Sequence, residues 1–122
     1  MSEQNKRISL STAKSWTAEY RSRQSGHTKA FLIPIEDLEG VLNEIKGQSG
    51  EPCARAYMGI DPSNGEEKLI LIGTTQENER DGSVVYRDML PDDEEADDGP
   101  GPGIYDFTRP CPPYCDPNSP LN

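Results

Sequence analysis

Between residues 91 and 103 the chain reads PDDEEADDGPGPG, and this stretch decides how the remainder can fold. Six of the seven residues 92 to 98 are acids, after which Gly and Pro alternate. Such a segment cannot bury enough apolar surface to repay the entropy of ordering it, so it reads as a solvated linker. A core must then be built from what precedes it. The organisation expected is a disordered start at 1–7, a compact domain at 8–90, the acidic Gly/Pro linker at 91–103, and an aromatic, proline- and cysteine-rich C-terminal segment at 104–122.

Within 8–90 the periodicities are clear. Leu10, Ala13, Trp16 and Tyr20 recur at helical spacing, with Ser9 or Ser11 as cap, which predicts a helix over about 10–23 that ends near Gly26. KAFLI is a short strand-like run. PIEDLEGVLNEIKG then places Ile35, Leu38, Val41, Leu42 and Ile45 on one helical face, with acids in its first turn and Gly47 beyond its end. ARAYMGI sets Ala54, Ala56, Met58 and Ile60 on one strand face, KLILIG is apolar on both faces, and Pro62 with Asn64-Gly65 supplies the turn of an antiparallel hairpin. VVYRDML offers a further strand. The fold class expected is therefore α+β: two helices packed on a small antiparallel or mixed sheet, followed by a Pro/Gly/acid-rich tail. Trp16, Tyr20, Met58, Leu38, Leu42, Leu69 and Leu71 are expected in the core.

Charge limits the partners. The net charge of −10 is polarised along the chain, basic over the first thirty residues and acidic thereafter, which argues against nucleic acid and makes a basic protein surface the best electrostatic match. No run approaches the roughly 18 apolar residues of a membrane span and the first residues carry no secretory pattern, so a cytoplasmic protein without membrane contact is expected. Three cysteines, an odd number, are then expected to be reduced thiols. A single His, no recognisable nucleophile context and no phosphate or dinucleotide loop argue against enzymatic activity. DPSNG reads as a hairpin turn, since it lacks the alternating ligands of a calcium loop.

The terminal segment IYDFTRPCPPYCDPNSPLN carries Tyr105, Phe107 and Tyr114, three of the eight aromatics of the whole chain. Pro110 and Pro113 stand in the P-x-x-P relation and predict a polyproline II stretch that an aromatic groove could bind. The alternative favoured here is a strap that folds back and lays the three aromatics on the domain's apolar surface. Cys111 and Cys115, four apart, could with Cys53 and His27 supply one zinc site, or act as a thiol-redox pair with Arg109 as the nearby cation.

LIPIEDLEGVL, the RAYMGID…KLILIG hairpin and the YDFT-P-CPP-CD ending together resemble a family of short bacterial proteins, over nearly the whole chain. The resemblance implies that the ending belongs to the design, and it implies no activity. Two function classes remain. The first is a non-enzymatic, acidic protein-interaction module without cofactor, meeting its partner through Tyr105, Phe107, Arg109, Pro112, Pro113 and Tyr114. The second is a small zinc-binding or thiol-redox protein using Cys53, Cys111 and Cys115, with His27 as a further ligand.

Overall fold

The computed structural model describes residues 7–24, 26–91 and 101–122. The readings of 1–6 as disordered and of 92–100 as a solvated linker fall outside the described residues. Within the described residues the chain is α+β, with two helices and two antiparallel sheets.

The hairpin forms the centre of the main sheet. β2 (Ala54–Asp61) runs antiparallel to β3 (Glu66–Asn78), in register from Asp61 opposite Glu66 to Ala54 opposite Gly73. Its turn is closed by the Gly65 amide on the Asp61 carbonyl at 2.7 Å, while Asp61 Oδ1 accepts from the Ser63 amide and hydroxyl. Gly65 has φ +73°, a backbone conformation that a side chain would resist. The Thr74 amide donates to the Cys53 carbonyl, which fixes the phase of the ladder: even-numbered β3 residues bond towards β2, odd-numbered ones away from it. On that far side β3 pairs with β4 (Val84–Asp88) at residues 74–78 and with β5 (Ile104–Tyr105) at Leu71 and Ile72. β3 is thus an interior strand, and its Leu71 and Ile72 are buried on opposite faces.

Each face is closed differently. α2 (Ile35–Ile45) lies on the face of Leu71 and Gly73, close enough that a Cβ at Gly73 would stand 2.8 Å from Ile45. On the other face no helix packs among the described residues. There Arg55 of β2 reaches across β3 to Asp88 of β4 at 2.6 Å and to the Tyr86 carbonyl at 2.9 Å, and the Tyr57 hydroxyl donates to the same Asp88. Ile72 lies beneath this polar bridge, not beneath the expected second helix.

Several expected core positions are corrected. α2 turns Asp37, Val41 and Ile45 to the sheet and leaves Leu38 and Leu42 exposed. The cause is Tyr105 of β5: its ring occupies the space where Gly40 has no side chain, so the helix sits over β3 and β5 and its 38/42 flank falls on the β2 side. Met58 and Ile60 on the same sheet face, beyond the reach of α2, are 63% and 66% exposed. α1 (Leu10–Arg23) forms as expected, capped by Ser9 accepting from the Thr12 amide, yet buries none of its residues. Trp16, Tyr20 and Leu10 face outwards, because a stripe of about one apolar residue per turn is narrower than packing onto a sheet requires. Among its described contacts, α1 is tied through the Tyr20 hydroxyl to the Thr28 carbonyl at 3.1 Å and through the Arg21 guanidinium to the Leu121 carbonyl.

KAFLI does give a strand, β1 (Ala30–Leu32), but not in the main sheet. It pairs with β6 (Arg109–Cys111) of the terminal segment, Phe31 opposite Pro110, as a separate two-stranded sheet.

Candidate protein-interaction surface

The terminal segment is held by two carboxylates on the inner face of α2, seven residues apart and therefore two helical turns along one side. Glu44 Oε2 accepts from the Gly103 amide at 3.0 Å and from the Tyr105 hydroxyl. Asp37 Oδ2 accepts from the Phe107 amide at 3.0 Å. One residue on, Thr108 is fully buried, and its hydroxyl replaces a strand partner for Leu69: it donates to the Leu69 carbonyl at 2.7 Å and accepts from the Leu69 amide at 2.9 Å. Lys68 Nζ closes the set on the Thr108 carbonyl at 3.1 Å.

The electrostatics follow from burial. Asp37 is fully buried, and desolvation raises its carboxyl above the ordinary range, with the Phe107 amide opposing, Asp106 and Glu36 adding to the rise, and Lys68 offsetting it. The Tyr105 phenol is pushed up to about 12 by burial and by its bond to Glu44. Asp37 Oδ1 and Glu44 Oε1 are buried with no hydrogen-bond partner among the described residues. Both carboxylates therefore spend their contacts on the segment and little else.

What the anchors hold up is exposed. Phe107 is 67% and Tyr114 47% accessible, so of the three aromatics expected to dock on the domain only Tyr105 does. β5 ends at Tyr105, whose ring lies over Gly40, and beyond the strand Phe107 meets Asp37 through its amide alone while its ring stays exposed. The Arg109 guanidinium stands 5.6 Å from the centre of the Tyr114 ring, a cation–π arrangement. Phe107, Arg109 and Tyr114 line an open groove of about 440 Å³ with Pro34, Glu36, Glu66 and Lys68. Pro112 and Pro113 are exposed beside it and line a second open groove with His27 and Ile60.

The cysteines differ from the expectation of three reduced thiols. Cys111 and Cys115 form a disulfide, Cα to Cα 4.8 Å, and only Cys53 carries a thiol. A polyproline II stretch over the same four residues would span about 12 Å, so the expected extended ligand is absent. The chain turns instead, with the Tyr114 amide on the Pro110 carbonyl at 2.9 Å. Cys53 stands next to the amino end of β2, its Sγ donating to the Glu51 carbonyl at 3.3 Å, while His27 follows α1. Among the described residues no three or more His, Cys, Asp or Glu side chains are grouped to hold a metal ion.

The residues that sequence reasoning missed are Asp37, Glu44, Thr108 and Lys68. One signal was available: Gly40 in mid-helix costs about 1 kcal/mol against Ala, which marks a close approach by something else. Compared with known protein families, curated proteins and solved structures, the chain matches none.

Proposed function

We propose that this chain is a non-enzymatic protein-interaction module whose contact surface is the rim formed by Phe107, Arg109, Tyr114 and the neighbouring Pro112 and Pro113. The observation that carries this reading is the contrast within one short segment: Tyr105 and Thr108 are fixed into the domain by partly buried hydrogen bonds, while Phe107 between them is presented to solvent. Aromatic and Arg side chains on a pre-organised backbone are the residues that dominate binding energy at protein interfaces, because little freedom is lost when they dock. Glu36, Glu66 and Lys68 around the groove favour a partner segment of mixed charge with an apolar anchor.

The test compares the intact protein with the Phe107→Ala/Tyr114→Ala double variant in quantitative affinity enrichment from extracts of its own organism. A partner held by the intact protein should fall roughly tenfold or more with the variant, since a hot-spot aromatic contributes about 2 kcal/mol. Melting of the variant should be unchanged because both rings are exposed. Equal recovery of every enriched protein by the two would overturn the reading.

A further inference from the structure

We infer that two copies of this chain join through the outer edge of β2 into one continuous antiparallel sheet, with Met58 opposite Met58 on the two-fold axis. The ladder phase given by the Thr74–Cys53 bond sends residues 55, 57, 59 and 61 of β2 towards β3. The amides and carbonyls of Ala54, Ala56, Met58 and Ile60 therefore point outward, and among the described residues none of them has a hydrogen-bond partner. The eight-residue edge has no Pro, no Lys and no bulge, and the guanidinium of Arg55 is turned away from it to Asp88, so its central residues Ala56 to Ile60 are unguarded.

The strand is also complementary to itself in one register. Pairing residue i with residue 116 minus i sets Arg55, whose guanidinium is otherwise turned inward to Asp88, opposite Asp61 of the second copy, cross-strand positions of opposite charge on the face of the polar bridge. On that same face Tyr57 falls against Gly59, large against absent. On the face of α2, Ala56 falls against Ile60, small against large, with Met58 against Met58 between them. The outward groups then form about six hydrogen bonds, two for each bonded pair. A shift of two residues, the smallest that keeps the outward groups paired with one another, sets Arg55 against Gly59 and Asp61 against Cys53, and loses the charge match.

The apolar surface beside the edge has the right extent. A two-fold axis perpendicular to the sheet keeps both α2 helices on one face, so Leu38 and Leu42 of each copy approach across the paired methionines. Met58, Ile60, Leu38 and Leu42, all exposed, together with the strand edge offer on the order of 500 Å² per copy. The resulting total of about 1,000 Å² is the lower bound for a specific interface, which corresponds to association in the micromolar range.

Sedimentation of the intact chain from about 1 to 300 μM, in roughly 0.15 M salt to screen the repulsion between two acidic molecules, should show the mass rising to twice that of one chain. Met58→Lys sets like charges on the axis and should abolish the dimer, while Val84→Lys on the opposite sheet edge should not. In a Cys53→Ser background, Met58→Cys should cross-link to itself under mild oxidation, since bonded pairs place Cα atoms about 5.5 Å apart, and Ile60→Cys alone should not. A chain that stays monomeric throughout, a dimer indifferent to Met58→Lys, or self-cross-linking at 60 in place of 58 would each overturn the inference.

Discussion

Asp37 shows how one buried side chain can set the pH response of a fold. Its carboxyl is pushed upward by desolvation, so the folded chain binds a proton there more tightly than the unfolded chain does. The stability that this supplies is fully present below the unfolded value and fades as pH rises through the folded one. The melting temperature of the intact protein minus that of Asp37→Asn should therefore increase as pH is lowered from 7 towards about 4. Asp61 and Asp88, held low by Ser63 and by Tyr57 with Arg55, act with the opposite sign, and their contribution is lost only below the ordinary carboxylate range. A difference that stays flat across the upper window would mean that Asp37 is not desolvated against Phe107. None of this was legible from the residue itself: an acid in the first turn of a helix normally serves the helix dipole in solvent, and only the segment returning from beyond residue 100 buries it.

Elements were legible where the cause is local, and their facing was not. Helix and strand limits for α1, α2 and the β2–β3 hairpin follow from caps, periodicity and the Asn64-Gly65 turn, all of which act over a few residues. Which side of α2 meets the sheet depends on Tyr105, sixty-five residues after Gly40: apolar spacing groups Val41 and Ile45 with Leu38 and Leu42, and nothing in it points to Asp37 as the third inward residue. The same distance hides the partner of β1 from a reading of the sequence: β6 is only three residues long and carries a proline, too weak a pattern to read as a strand. Ile45→Ala and Leu71→Ala should each cost about 2–5 kcal/mol in denaturant unfolding, and Leu42→Ala about 0.5 kcal/mol or less. Equal losses at 42 and 45 would show the helix rotated from the position described.

For the molecule as a whole, the terminal segment joins the two sheets, pairing with β3 through β5 and Thr108 and with β1 through β6. Truncation after Gly103 should lower the melting temperature by several degrees, since the lost Thr108 bonds alone leave the Leu69 amide and carbonyl without partners at about 1–3 kcal/mol each. An unchanged melt would mean that β3 is satisfied without the segment. The β1–β6 pairing carries a further consequence for synthesis. About eighty residues separate the two strands, and at roughly 5–20 residues per second a ribosome needs some 4–16 s to add them. Throughout that interval β1 has nothing to pair with, and once residue 78 is added the hairpin also stands with the Leu69–Leu71 side of β3 uncovered, so the length of this exposure is set by the position of β6 in the message.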